Sequence, residues 1–221
     1  MPPKKKAKAG AVPTALEGIK QMLFTNAISP GQKISYRQLA EKLGLSLTPV
    51  IQALKHLEFQ GLVRHEPHKG YSTEPMSVQE VQDIYDTREL IETSLIPDII
   101  RHLDEEGIRT LKALLDRPQV PPEAVNERLL RDREFHLTLA GLSRRRVQVQ
   151  ILNQLFDLLY LKYRGSLLFV TPETPVGSQH KDIFQALISQ DTQRAQAAMA
   201  NHFTKIRGQA LQALATLMAE S

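Results

Sequence analysis

Residues 35–70 read SYRQLAEKLGLSLTPVIQALKHLEFQGLVRHEPHKG, and this stretch decides the fold of the N-terminal part. Ser35 with Gln38 three residues later is a capping box, opening a short helix that carries Leu39, Ala40 and Leu43. Gly44 ends that helix. Ser46 is placed to cap the next one, with Pro49 in its first turn. Val50, Ala53, Leu54 and Leu57 then repeat on one face until Gly61 breaks the pattern. Leu62-Val63-Arg64 can start a short strand that returns after a turn at His68-Lys69-Gly70. Upstream, Leu16, Ile19, Met22 and Leu23 step at helical spacing and stop at the turn signal Ser29-Pro30-Gly31. Helix, helix, turn, helix and a two-stranded wing over residues 13–75 are the lengths of a winged helix-turn-helix.

From Ser77 onward no strand signal of any strength is found. Ser77 with Glu80 is a second capping box, and the helix it opens runs to about His102, with Pro97 as a possible kink. Asp104 can cap a short helix through Leu115, and Pro121-Pro122 opens another carrying Leu129, Phe135, His136 and Leu139. A long helix is expected over 145–168 and a loop over 171–178, with helices at 179–189 and 192–219 closing the chain. The fold class is therefore mainly α: an N-terminal winged helix-turn-helix, then an all-α bundle of six helices over residues 76–221. There is no internal repeat.

The 221 residues hold 28 Lys+Arg against 24 Asp+Glu, a formal charge of +4. Lys4, Lys5, Lys6 and Lys8 account for all of it, in a segment (1–12) that is expected to be a disordered basic tail. Residues 11–75 carry seven bases and five acids, and the remainder 17 and 19. The pI near 9.3 thus describes the tail more than the body, and charge alone is weak evidence for nucleic-acid binding. The absence of Cys excludes disulfides, thiolate nucleophiles and Cys-ligated zinc, leaving His and carboxylates as metal ligands. The apolar runs are far short of the ~20 residues that span a membrane, and no signal-peptide core follows the basic N-terminus, so a cytoplasmic protein with no membrane partner is expected.

Asp132 and His136 are four residues apart in a helix, so both project from one face, a spacing that suits a carboxylate–imidazole chelate of a divalent metal. His180 and His202 lie on the two helices that follow. Val81, Ile84, Arg88, Ile91 and Leu95 step by three and four, which places Arg88 within an apolar stripe. It is either salt-bridged there or faces a pocket. Arg164, late in the long helix, is a second candidate pocket base, whereas Arg144-Arg145-Arg146 has the character of a surface cluster.

Pro30-Gly31, Leu39-Ala40, Leu43-Gly44, Ser46-x-Thr48-Pro49-Val50, Ala53-Leu54, Leu57-Glu58 and Gly61-Leu62-Val63, with Gly70 in the wing, resemble the GntR family of bacterial transcription regulators. The resemblance implies that the third helix enters the major groove of a pseudo-palindromic double-stranded operator. By position, Arg37, Ser46, Leu47 and Thr48 would meet DNA, and His68, Lys69 and Gly70 would form the wing tip. This chain departs from the family where arginines are usual, carrying Leu47 and Ile51 instead. A bidentate arginine–guanine contact contributes roughly 1–3 kcal/mol of discrimination. Either a different operator is read, through thymine methyls, Gln52 and Lys55, or binding is weak, or Leu47 and Ile51 are buried against a neighbouring element.

Asp132-x-x-Phe135-His136-x-x-Leu139-Ala140, together with His180, Phe184, Ala186-Leu187, Asp191, Ala195, Met199 and His202, resembles the FCD sensing domain of the FadR branch, in its six-helix, VanR-like form. That resemblance implies one divalent ion held by Asp132, His136, His180 and His202: zinc foremost, though nickel, manganese and iron accept the same set. It further implies a homodimer, and a small carboxylate effector clamped by Arg88, with Arg164 as a second base, that releases the operator through a hinge at 74–77. The expected protein is a ligand-responsive regulator, by family default a repressor. Metal-dependent hydrolysis or direct sensing of the ion are the alternatives.

Overall fold

The computed structural model describes residues 10–29, 31–73, 77–118, 125–162 and 176–219, and the chain divides into two compact units, Met1–Met76 with Tyr160–Arg164 and Ser77–Leu159 with Gly165–Ser221.

In the first unit, helix α1 (Ala11–Phe24) starts two residues inside the segment expected to be tail. Gly10 precedes it with φ 101°, a left-handed conformation that glycine adopts without strain, and the Thr14 hydroxyl donates to the Gly10 carbonyl at 2.9 Å. Pro13 falls in the first turn, where no backbone N–H is required, and Ala15 is already fully buried. Packing of that Ala15–Ile19–Leu23 face holds the helix from its first turn. Helix α2 (Tyr36–Leu43) opens at Ser35, whose hydroxyl accepts from the Gln38 N–H, and closes at Gly44 with φ 63°. At Gly18 on α1 a Cβ would lie 2.4 Å from Leu43 Cδ2, so a missing side chain lets α2 approach closely.

Helix α3 (Leu47–Phe59) has Ser46 at its N-cap, yet the serine side chain makes no capping bond, contrary to expectation. The reason is local. An N-cap oxygen takes the N–H of the second or third helical residue; the third here, Pro49, has none, which leaves Thr48 as the single candidate donor, and its N–H is not taken. The sheet also exceeds the expected two strands. Strand β1 (Lys33–Ile34) joins β2 (Arg64–Glu66) and β3 (Gly70–Ser72) in the order β1-β3-β2, all antiparallel, with Ile34 opposite Tyr71 and His65 opposite the same Tyr71. Two residues are too short a run to show period-two alternation, which is why β1 was illegible. Leu62 and Val63 precede the strand rather than start it, and both are buried. The hairpin tip turns on His68 at φ 64°, with the Lys69 N–H donating to Glu66 O at 3.0 Å.

The second unit is helical throughout its described residues. Helix α4 (Val78–His102) is capped by Ser77 onto the Glu80 N–H and continues through Pro97 as one element. Helix α5 (Glu105–Leu115) is capped by Asp104 onto the Gly107 N–H at 2.8 Å. Helix α6 (Val125–Leu142) follows; Pro121-Pro122 lie outside the described residues. Helix α7 (Arg146–Asp157) passes into a π-wound segment (Leu158–Lys162) instead of continuing as one α-helix, and 163–168 lie outside the described residues. Helix α8 (Val176–Ile188) takes in residues 176–178, which were expected in a loop, and α9 (Thr192–Ala219) spans its expected range. α9 packs lengthwise on α4 and α8, and α4 also meets α6, α7 and α8, so α4 and α9 form the middle of this bundle. Among the described residues no helix is long and apolar enough to cross a membrane.

Candidate metal centre and DNA-reading surface

Helix α6 presents Asp132 and His136 one turn apart, α8 presents His180 from its first half, and α9 presents His202. All four side chains are buried, His136 and His202 completely. One ligating atom from each can be chosen so that all lie within 4.8 Å of one another. Asp132 Oδ1 is 3.6 Å from His136 Nε2 and 3.4 Å from His180 Nε2. His136 Nε2 and His202 Nε2 stand 3.1 Å apart.

The far sides of these rings explain why the Nε2 atoms converge. His202 Nδ1–H donates to Gln179 Oε1 at 2.9 Å, and His136 Nδ1–H donates to Glu92 Oε2. A neutral imidazole with its proton on Nδ1 has a lone pair on Nε2. Two such lone pairs at 3.1 Å repel unless a cation, either a proton or a metal, lies between them. Without a metal, burial disfavours a charge on His136, but the Glu92 and Asp132 carboxylates outweigh it and raise its pKa to about 9. Burial, with His136 and His180 alongside, holds His202 well below the ordinary histidine value, and burial lowers His180 too. Burial alone would raise Asp132 and Glu92. Their histidine neighbours, and Arg88 for Glu92, more than offset it and hold both below the usual carboxylate range.

Glu92 and Gln179 are site residues that sequence reasoning missed. Glu92 bridges His136 to Arg88, whose Nε donates to Glu92 Oε1 at 3.1 Å. Arg88 is fully buried, with its guanidinium carbon 3.9 Å from the Phe156 ring centroid. The buried stripe of α4 is Val81, Ile84, Tyr85, Arg88, Glu92, Leu95, Ile96 and Ile99, so Glu92 replaces the Ile91 of the sequence reading. The available signal was the i, i+4 spacing of Arg88 and Glu92, a pairing that neutralises two charges on one buried face. Tyr85 Oη and Gln179 Nε2 are buried polar atoms with no hydrogen-bond partner among the described residues. Arg164 lies outside the described residues. Arg144, Arg145 and Arg146 are exposed, and Arg145 together with Arg101 engages Asp98.

In the first unit Arg37, Ser46, Thr48, Gln52 and Lys55 are exposed, as are His68 and Lys69 at the hairpin tip, with Gly70 partly covered. Leu47 is 42% exposed, which overturns its burial against a neighbour, and Ile51 is half-buried. Between the start of α2, the outer face of α3 and the hairpin runs an open groove of about 730 Å³ lined by Tyr36, Ile51, Lys55, Glu58, Phe59, His65 and Tyr71.

A winged helix-turn-helix unit and a helical bundle with a buried His3Asp cluster define a two-part regulator. Residues 14–72 match the bacterial regulatory proteins of the GntR family, and residues 83–205 match the FCD domain. The chain belongs to the FCD-containing GntR regulators: it is a DNA-binding transcriptional regulator. It is 26% identical over 192 residues to the HTH-type transcriptional regulator YdhC of Bacillus subtilis, covering 84% of each chain. It is also 26% identical over 202 residues to the HTH-type transcriptional repressor GlaR of Escherichia coli, covering 86% of this chain and 92% of GlaR. Among solved structures, E. coli McbR/YncC superposes with a TM-score of 0.75 at 19% identity, covering 89% of this chain and 95% of that one. A GntR regulator from Rhodococcus sp. RHA1 gives 0.74 at 17%, covering 92% and 99%. These similarities place the fold, and the relatives named are transcriptional regulators.

Proposed function

We propose that this regulator binds its operator as a homodimer and that a small organic acid, seated beside a divalent metal in the second unit, releases it. Asp132, His136, His180 and His202 would hold the ion. The observation that carries this reading is the convergence of three imidazole Nε2 atoms and a carboxylate in a buried core. His136 and His202 are each oriented there by a second hydrogen bond at Nδ1, as metal-ligating histidines generally are. All four donors suit a borderline divalent cation, zinc foremost. Such an ion supplies a positive charge on which a carboxylate can sit. Tyr85 Oη and Gln179 Nε2, buried polar atoms in this region, suit a polar guest, and Arg88 supplies a second positive charge in the same core.

Release requires the acid to bind DNA-competent and DNA-incompetent arrangements with different affinity. The hinge expected at 74–77 falls mostly outside the described residues, which omit 74–76, and stands as a proposal; DNA contacts fall to Arg37, Ser46, Leu47, Thr48, Gln52, Lys55, His68, Lys69 and Gly70. A dimer would address half-sites about one DNA turn apart. Repression is the proposed outcome, supported by the repressor GlaR among the relatives.

Elemental analysis of the dialysed protein tests the centre. About one ion per chain is expected, lost in both His180→Ala and His202→Ala; full occupancy in both variants would overturn the ligand set. Operator binding is then titrated with zinc alone and with zinc plus a panel of small mono- and dicarboxylates. A shift with zinc alone would instead make the ion itself the signal.

A further inference from the structure

We propose that this protein reads thymine rather than guanine at two base pairs of each operator half-site, through Leu47 and Ile51. This rests on the DNA-reading role assigned to α3 above.

The outer face of α3 is unusual for a helix that enters the major groove. Its sequence, LTPVIQALKHLEF, contains no arginine and a single lysine, Lys55. The inner face is used up by Val50, Ala53, Leu54 and Leu57, all fully buried. What remains to face a partner is Leu47, Thr48, Ile51 (half-buried), Gln52 and Lys55 in the N-terminal half, with His56, Glu58 and Phe59 exposed farther along. Leu47, Ile51 and Lys55 are spaced i, i+4, i+8 and so lie in one row. Two branched apolar side chains at a surface gain from contact only with something apolar. In the major groove the apolar group that base pairs offer is the thymine C5-methyl. A guanine at the same place would lose water from its O6 and N7 acceptors and find no donor on leucine or isoleucine.

Geometry and charge agree with that occupant. One helical turn advances about 5.4 Å, and base pairs rise about 3.4 Å, so Leu47 and Ile51 reach base pairs one or two steps apart. Gln52, next to Ile51, offers the amide that pairs with adenine N6 and N7. Lys55 at the end of the row, with Arg37, Lys42 and Lys69 exposed elsewhere in the same unit, supplies phosphate attraction, which positions the helix without carrying sequence information.

The test is selection of duplex DNA from a randomised pool by the full-length protein, followed by replacement of individual thymines with deoxyuridine, which lacks only the methyl. The expected consensus has A·T pairs at the positions facing α3 and no required G·C pair there. Each deoxyuridine at a read position should weaken binding about fourfold, the equivalent of one buried CH2. In Leu47→Ala, a change at an exposed position that leaves the core intact, the penalty at one thymine should vanish while the other persists; Ile51→Ala should do the reverse. Leu47→Arg should move the preference at its position to guanine. A guanine-centred consensus, or indifference to every uracil, would overturn this inference alone. Recovery of no sequence at all would overturn the DNA-reading assignment itself.

Discussion

Replacing Glu92 by glutamine isolates the link between the buried arginine and the metal centre. Glu92 is 2% exposed and accepts two hydrogen bonds, one from Arg88 Nε and one from His136 Nδ1. Glutamine keeps the shape but offers one oxygen and one NH2 group, so one of the two donors meets another donor. A buried donor left without an acceptor costs roughly 1–3 kcal/mol, and removing one partner of a buried ion pair roughly 3–5. The two overlap here, because the orphaned donor belongs to the broken pair, so a loss of about 3 kcal/mol is expected in the metal-free protein. For a chain of this size that corresponds to a Tm drop of about 6–12 °C. Loosening the ring of His136 should also weaken metal binding by about 10–100-fold, or roughly 1.4–2.7 kcal/mol. Thermal melts in chelator measure the first quantity, and zinc competition against a chromophoric chelator the second. The carboxylate of Glu92 sits below its ordinary pKa, so its stabilisation is present above that ordinary value and fades as pH falls through the lowered one. The gap between wild type and Glu92→Gln should therefore close in acid. A lower Tm with unchanged zinc affinity would refute the orienting role and leave Glu92 as a counter-ion for Arg88; no change in either would refute the whole argument.

Three other outcomes are expected. In the metal-free protein the raised pKa of His136, from 6.5 to about 9, contributes stability that is complete below pH 6.5 and is lost as pH rises through about 9. Zinc-loaded protein should not show that loss, and identical Tm–pH profiles with and without zinc would count against metal replacing this proton. Arg88→Ala should abolish the response of operator binding to carboxylates while keeping one ion per chain, as read by operator titration beside elemental analysis; unchanged carboxylate affinity would remove Arg88 from effector binding. Deleting residues 1–8, which removes four lysines, should flatten the dependence of log K on log salt by about 0.9 for each phosphate no longer neutralised, with sequence preference intact. An unaltered slope would show that the tail neutralises no phosphate.

The helices were legible because their signals are local. Ser35, Ser77 and Asp104 cap as their spacing indicates, and Gly44 adopts the left-handed turn that ends α2. Where local signals compete, reading failed: Pro49 removes one of the two N–H groups that Ser46 could cap, and β1 is too short to show alternation. The α7 region changes winding at Leu158, with no glycine or proline to announce it.

By itself the sequence determined two things about function. The i, i+4 spacing of Asp132 and His136 put a carboxylate and an imidazole on one helix face, and the composition of α3 put Leu47 and Ile51, and no arginine, on its outward side. Both follow from the 3.6-residue period, which a single segment carries. Only tertiary packing decided that Glu92, 44 residues before His136, would turn that ring, and that His202, 66 residues after it, would meet it at Nε2. A helix's periodicity states which side is buried, not which buried side it will face. The rotation and axial register of α4, α6, α8 and α9 against one another settle that, and they arise from the summed packing of the whole bundle rather than from any one stretch of chain.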